Sequence, residues 1–363
     1  MKNLKTILSL LLITIFASCS KTEDAIKPDP EQVYPPYVYN ANIYVAGFEG
    51  SKAKIWKNGV GTELPDGTTA ASVFVSGTDV YVCGSKTVSG GKKGQIWKNG
   101  LLYATLSPEY NYVELNSIFI SGGNVYACGY VQNTATGKAA CYWKDGVKKL
   151  LTNTSLNNAD DAATGIFVAG SNVYVCGTER NNAFDPISKV WNATGAVLFT
   201  FNTSAIDTFV TGITVVGSDV YVSGHEQNIN GSNRKPIYFK NLSRTYLPIS
   251  SGAVEGNTKG ITASGTDIYS SGYDLSNLAS SNSYFWKNGV ATNLTSPTTE
   301  FNSRDHSWAP TGITVFNGSV FQSANDGYLG NSNAMFLDGS RPVYLTNSES
   351  VISSANGIFV TTL

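Results

Sequence analysis

Val173-Tyr174-Val175-Cys176-Gly177 decides the fold, because it is one of seven copies of the same short apolar run closed by a small residue. The others are Ile43-Tyr44-Val45-Ala46-Gly47, Val80-Tyr81-Val82-Cys83-Gly84, Val125-Tyr126-Ala127-Cys128-Gly129, Val220-Tyr221-Val222-Ser223-Gly224, Ile268-Tyr269-Ser270-Ser271-Gly272 and the degraded Val320-Phe321-Gln322-Ser323-Ala324. Successive last residues are spaced by 37, 45, 48, 47, 48 and 52 positions. A second motif follows each copy, as in Ile55-Trp56-Lys57-Asn58-Gly59, Ile96-Trp97-Lys98-Asn99-Gly100 and Phe285-Trp286-Lys287-Asn288-Gly289. A third precedes each next unit, as in Ser72-Val73-Phe74-Val75 and Gly165-Ile166-Phe167-Val168, and its last copy is Gly357-Ile358-Phe359-Val360. A repeat of this length is one supersecondary unit that buries its faces against its neighbours.

Each unit reads as four short strands, a to d. Strands a and b meet at glycine-first dipeptides such as Gly77-Thr78, Gly170-Ser171, Gly217-Ser218 and Gly265-Thr266, a type II′ signal. Strands c and d meet at Asn-Gly or Asp-Gly, a type I′ signal. Strands a and b are nearly continuously apolar, the pattern of a sheet covered on both faces. Blades standing face to face around an axis give that cover, so the chain is expected to be all-β, a seven-bladed β-propeller of four-stranded antiparallel blades. The folded part starts on a b strand at Ile43 and ends on an a strand at residues 358–361. One blade must therefore pair the C-terminal strand with three N-terminal strands, which closes the ring and covers two sheet edges.

The N-terminus addresses the chain for export. Lys2 and Lys5 precede an apolar stretch at residues 8–15 that is too short to span a bilayer, and Phe16-Ala17-Ser18-Cys19 follows. This order resembles the lipobox of bacterial lipoproteins, which implies a signal peptide over 1–18 and lipidation of Cys19. Ser20 after the cysteine implies the outer membrane, and Lys21-Thr22-Glu23-Asp24 resembles the acidic export tag of Bacteroidetes surface lipoproteins. Residues 19–39 hold Pro28, Pro30, Pro35 and Pro36 among charges and read as a tether, leaving 40–363 for the propeller. The combined pattern Val-Tyr-Val-x-Gly, Trp-Lys-Asn-Gly and Gly-Ile-x-Val over residues 41–363 resembles the propeller lipoproteins of Bacteroidetes cell surfaces. That resemblance implies fold and export, and it names no reaction.

Composition narrows function by exclusion. The formal charge is −1 and 14% of residues are charged, so there is no basic footprint for nucleic acid. His225 and His306 are the only histidines, which excludes a multi-histidine metal site. No Ser/His/Asp or Cys/His constellation marks a nucleophile, and no phosphate-cradling loop marks a cofactor, so none is expected. A mixed calcium site from Asp160, Asp161 or Asp305 has no recognisable ligand spacing. Cys83, Cys128 and Cys176 fill a slot that elsewhere holds Ala or Ser and read as packing thiols; Cys141 offers Cys128 a disulfide partner on the neighbouring strand.

Function is expected on one end of the ring. The a–b and c–d turns are tight, whereas residues 85–94, 130–139, 178–187, 225–235 and 273–283 (b to c) and 107–115, 153–163 and 295–310 (d to a) read as long, dissimilar loops on the opposite face. Variable loops on a rigid scaffold are where binding residues gather. Five tryptophans (Trp56, Trp97, Trp143, Trp191, Trp286) recur in strand c and belong to blade packing. Trp308 breaks the pattern beside Arg304, Asp305 and His306, either as a ligand platform or as a plug against blade 7. With Tyr110, Tyr112, Tyr130, Tyr273, Tyr328 and His225 it makes an aromatic, hydrogen-bonding surface suited to a glycan or a protein. Glu49, Glu179, Glu226, Asp274 and Asp326 follow the b strands and are expected as solvated turn formers, though two such carboxylates at suitable separation would serve a glycosidase or lyase. The reading is a non-catalytic binding module held to the membrane by lipid on Cys19; the alternatives are an enzyme on extracellular polysaccharide and a structural envelope protein.

Overall fold

The computed structural model describes residues 37–133, 137–153, 160–181, 183, 185–201, 206–276, 280–294, 307–328, 331–346 and 351–363. Cys19 and the N-terminal segment lie outside them. The described residues hold strands and no helix; they form five four-stranded antiparallel sheets and one eight-stranded sheet, in which two four-stranded units are joined by a single parallel pair, Lys92 with Tyr112. In chain order, strands a and b of blades 2 to 7 are Thr69–Ser76 and Asp79–Val88, Tyr112–Ser121 and Asn124–Gln132, Ala162–Ala169 and Asn172–Arg180, Ile206–Val216 and Asp219–Asn228, Glu255–Ser264 and Asp267–Ser276, and Ser307–Phe316 and Ser319–Tyr328. Their c strands run Gly91–Lys98, Ala139–Lys144, Pro186–Asn192, Lys235–Lys240, Ser280–Lys287 and Asn331–Asp338. Blade 1 takes its a strand, Ser353–Thr361, from the C-terminus and the rest, Asn42–Glu49, Lys52–Lys57 and Val60–Glu63, from the N-terminal end of the compact unit, with Val45 opposite Ile358 and Tyr44 opposite Phe359. Each a strand touches the a strand of the next blade, and that of blade 7 touches that of blade 1. The ring is closed by main-chain pairing, as expected.

The recurrent Asn of the second motif has a mechanical explanation. At Asn58-Gly59 and Asn288-Gly289 both residues take the left-handed conformation of a type I′ turn (φ 49° and 79°, 51° and 85°). The asparagine side-chain oxygen then accepts the amide of the second b-strand residue, Ile43 or Ile268, at 2.8 Å, while its backbone N–H donates to that residue's carbonyl. One residue thus sets the turn and ties it to strand b.

The glycine closing each b motif answers to a bulge. Every a strand carries one extra residue at the same height: Asn356, Ala71, Asn116, Thr164, Thr211, Lys259 and Thr311 in blades 1 to 7. The bulge presses an a-strand carbonyl onto the facing b-strand residue, so a Cβ on Gly177 would lie 2.2 Å from the Ala162 oxygen and one on Gly224 2.1 Å from that of Phe209. Several bulge side chains then cross to the next blade's carbonyls: Asn116 to Ala163 (2.8 Å), Thr164 to Val210 (3.0 Å), Thr311 to Ala355 (2.6 Å) and Asn356 to Ala70 (2.8 Å).

Packing between blades follows the motifs. The five c-strand tryptophans are buried, and Trp97, Trp143 and Trp286 donate their indole N–H to Pro65 O, Ser107 Oγ and Pro248 O on the preceding d–a connections, at 2.8, 2.9 and 2.8 Å. Phe359, Phe74, Phe119 and Phe167 touch in sequence from a strand to a strand, with ring centroids 4.7–4.9 Å apart. Blades 5 to 7 carry Thr214, Thr262 and Thr314 at that position. The inner wall is therefore aromatic over blades 1 to 4 and polar over blades 5 to 7.

Two expectations are corrected. Cys128 faces Tyr142 and Cys141 faces Gly129 in the pairing, so the two cysteines, one residue out of register, point to opposite sides of the sheet. All four described cysteines are free and buried, and burial drives their thiol pKa upward. The stretches read as long b–c loops are largely strand: Ser85 pairs with Gly94 and Val88 with Gly91, leaving a two-residue turn, and Tyr130, Glu179, His225 and Tyr273 all sit in ladders.

Candidate functional site

The b–c hairpins run past the bulges at the end of the ring opposite the Asn-Gly turns, and their outer portions carry the polar residues singled out by the sequence. Arg304 and His306 lie outside the described residues, as does the side chain of Tyr328. Trp308 opens strand a of blade 7 opposite Asp326, and its ring packs against Leu294, Ala324, Met335 and Leu337. This is the packing that the plug reading of Trp308 expects. Its indole N–H is buried without a hydrogen-bond partner among the described residues.

Tyr130 is buried between blades 3 and 4. Its hydroxyl donates to Glu114 at 2.7 Å, Lys92 meets the same carboxylate at 3.0 Å, and Lys138 stands 4.6 Å from the ring while pairing with Asp160 at 2.6 Å. Burial and then Glu114 push the Tyr130 pKa up. Tyr110 belongs to another cluster, with Lys148 Nζ 3.8 Å from its ring centre and Lys93 donating to its carbonyl at 2.6 Å. These two tyrosines are satisfied within their own clusters and do not join the residues of blades 5 and 6.

The carboxylates that follow the b strands are not solvated turn formers. Glu226, Asp274 and Asp326 are 2, 0 and 1% exposed. Their hairpins extend as strand, which places them inside the blade, where each is held by its own strands. Glu226 accepts Arg244 at 2.9 Å and Tyr246 at 2.8 Å. Asp274 accepts the Ser250 amide and hydroxyl, Asn282 and Tyr284, all within 2.7–2.8 Å. Burial works to raise the Asp274 pKa, but these four donors outweigh it and hold the carboxyl below its ordinary range. Asp326 accepts Tyr344 at 2.6 Å. Glu49 and Glu179 are paired with Lys54 and Lys189 on strand c.

His225 and Tyr273 do come together, through a residue the sequence reading passed over. His225 lies flat on Phe209, centroids 5.1 Å apart and planes 15° from parallel. Burial first, then the cations Arg234 and Lys259, bring its pKa down to about 4, against the opposing effect of the Asn257 amide. Neither His225 Nδ1 nor Asn257 Oδ1 makes a hydrogen bond of normal geometry among the described residues. Thr258 fixes this junction by donating to Gly224 O at 2.6 Å. Lys259, the bulge residue of blade 6, holds its ammonium 5.7 Å from the Tyr273 ring centre, and burial followed by Arg234 lowers its pKa. Arg234 donates to Gln227 at 3.1 Å and approaches Glu255 at 3.9 Å.

No protein-family model matches the chain, and no curated protein matches it. Among solved structures it is similar to the SapL1 lectin in complex with alpha methyl fucoside (12% identity, TM-score 0.45, 76% of this chain and 94% of that one). It is also similar to a Mycobacterium tuberculosis puromycin-hydrolyzing peptidase (10% identity, TM-score 0.51, 85% of this chain and 54% of that one). A native Bacillus subtilis arabinanase is a third (13% identity, TM-score 0.38, 76% of this chain and 96% of that one). The chain spans about half the length of the peptidase. At such identities the likeness is one of fold.

Lys259 had a signal in the sequence. Aligning the repeats on the third motif sets Lys259 in a column with Ala71, Asn116, Thr164, Thr211, Thr311 and Asn356, where it is the only charge. Arg234 and Asn257 carry no such mark, since only the blade 5–blade 6 junction brings them beside His225.

Proposed function

We propose that the chain is an exported propeller, anchored to the outer membrane by lipid on Cys19 and spaced from it by residues 20–39, that binds a glycan or a protein at its hairpin end without transforming it. The observation that supports binding is the blade 5–blade 6 junction, where among the described residues Lys259 has no hydrogen bond or carboxylate partner and neither His225 Nδ1 nor Asn257 Oδ1 makes a hydrogen bond of normal geometry. Buried polar groups ordinarily have partners, and an unmet set at the mouth of a rigid scaffold is what a ligand supplies. Two of the carboxylates that follow the b strands, Asp274 and Glu226, do not suit acid–base chemistry. A general acid must hold a proton and turn it toward substrate, whereas the oxygens of Asp274 accept four donors and those of Glu226 an arginine and a tyrosine.

The test is a thermal-shift screen of the full-length protein in detergent against extracellular polysaccharides, run beside a reducing-end assay. The expected result is an upward shift of the melting temperature with at least one polymer and no product. Release of product by the wild-type protein would overturn the reading.

A further inference from the structure

Seven bulges at one height invite a comparison of what each does with its extra side chain. Asn116, Thr164, Thr311 and Asn356 hydrogen-bond the next blade's carbonyl, so their role is to staple the ring. Lys259 makes no such bond. Among the described residues its ammonium has neither a hydrogen bond nor a carboxylate partner, and its contact is the face of Tyr273. It is set on the polar side of the inner wall, beside a second cation, Arg234, which depresses its pKa further. Withdrawing a charge from water next to a like charge is unfavourable unless an anion compensates. Glu255 approaches Arg234, leaving Lys259 uncompensated.

The groups around it restrict which anion fits. Asn257 is 7% exposed, and its side chain faces the His225 imidazole, with no hydrogen bond of normal geometry to its Oδ1 among the described residues. His225 presents an imidazole that stays neutral above its pKa of about 4, its Nδ1 without a hydrogen bond of normal geometry among the described residues. Tyr273 offers a flat ring of the kind on which sugar rings stack. A bare sulfate would answer the cations but bring no donor for the Asn257 oxygen, and a phosphate would bring its hydroxyl but no ring to lie along Tyr273. A sugar ring carrying a carboxylate and neighbouring hydroxyls answers all of these.

We infer that Lys259, Arg234, His225, Asn257 and Tyr273 form a binding site for a uronic-acid saccharide, its carboxylate at Lys259, a hydroxyl donating to Asn257 and its ring along Tyr273. This rests on the proposal that the hairpin end is a binding surface, and it names the ligand class.

Calorimetry on the full-length protein in detergent tests it. The probes are glucuronate, galacturonate and mannuronate oligosaccharides, the methyl esters of the same oligosaccharides, and acetate and inorganic phosphate alone. At least one acidic oligosaccharide is expected to bind, with about tenfold or greater loss on esterification and on Lys259→Met, and partial recovery in Lys259→Arg. An unchanged melting temperature in Lys259→Met separates loss of the site from loss of the fold. Equal affinity for acid and ester, an unaffected Lys259→Met variant, or phosphate binding as tightly as the saccharide would each overturn the inference. A neutral polysaccharide that shifts the melting temperature while no acidic one binds overturns the inference and leaves the binding-module reading standing. No shift with any polymer or protein ligand defeats both.

Discussion

Asn356 donates its side-chain amide to the carbonyl of Ala70 at 2.8 Å, a hydrogen bond between positions 286 residues apart in the chain. It joins the C-terminal strand of blade 1 to the first strand of blade 2, and the same side chain accepts the Ser354 hydroxyl at 2.7 Å. Asn356→Ala is expected to lower stability by about 1–2 kcal/mol in chemical denaturation. Removal of residues 356–363 is a different matter, because it strips most of strand a from blade 1 and bares two edges. The shortened protein is expected to be insoluble or to melt without a cooperative transition. A truncated chain that melts as sharply as the full one would contradict closure by this strand.

The bulge makes a contrasting pair of glycines. A Cβ on Gly177 would meet the Ala162 carbonyl oxygen at 2.2 Å, with main chain on both sides, so Gly177→Ala is expected to cost on the order of 2–4 kcal/mol. Gly170, in the a–b turn of the same blade, has φ 59° and nothing within 4 Å, so Gly170→Ala carries only the left-handed strain of about 1–2 kcal/mol. Urea denaturation of both variants reads the difference, and a reversed order would remove the account given for the glycine repeat.

Trp308 is packed against Leu294, Met335 and Leu337, so its loss is felt by the fold. Trp308→Ala is expected to destabilise by about 2–4 kcal/mol. Tyr273, half-buried and touched by Lys259, is expected to affect ligand affinity with little change in melting temperature when replaced by Leu. Calorimetry and melting curves on both variants separate the two roles, and Trp308→Ala melting like wild type would return the tryptophan to the ligand surface.

His225 gives stability a dependence on acid. Its folded pKa is about 4, below the unfolded value of about 6.5, so on acidification the unfolded chain takes up the proton first. The contribution is complete above about pH 6.5, declines as pH falls towards about 4, and is flat below both values. With the ring partly exposed, the loss is on the order of 1–3 kcal/mol. Cations oppose protonation here, Arg234 and Lys259, with Glu226 and Glu255 engaged elsewhere. His225→Phe keeps the stack on Phe209 and should flatten the difference between pH 6.5 and 4 when denaturation is followed at several pH values. An unchanged pH dependence would place the protonation outside this ring.

Cys128 and Cys141 point to opposite sides of their sheet, and Cys83 and Cys176 are equally buried with raised pKa. The native protein is expected to leave these four thiols unmodified by an aromatic disulfide reagent and to release all four after denaturation. A Cys128–Cys141 crosslink on peptide mapping would contradict the register.

The architecture was legible because propellers repeat their errors as faithfully as their rules: Trp-Lys-Asn-Gly and the b-strand glycine recur wherever geometry demands them. The ends of the hairpins were less so. Thr178-Glu179 and Tyr273-Asp274 look like turn sequence, polar and without period, yet they pair as strand because facing residues satisfy the main chain and the acids find donors within the blade. The site was legible only in part. His225 and Tyr273 stood out as residue types, whereas Lys259 shows only when the repeats are aligned, as the one charge in its column. Trp308 stood out for the wrong reason, since a rare residue in an odd position was also a filler for a gap between blades.

Because six blades set a glycine, and blade 7 the small Ala324, opposite the extra residue of strand a, the side chain there is released from shaping the main chain. Ala, Asn, Thr and Lys all occupy it without altering the circle. The ring thus has seven interchangeable sockets, and a change of chemistry in one of them leaves its six neighbours undisturbed. A protein built this way exchanges a recognition specificity by single replacement at a position such as 259, where the side chain makes no bond to the next blade, while the stapling positions hold the ring.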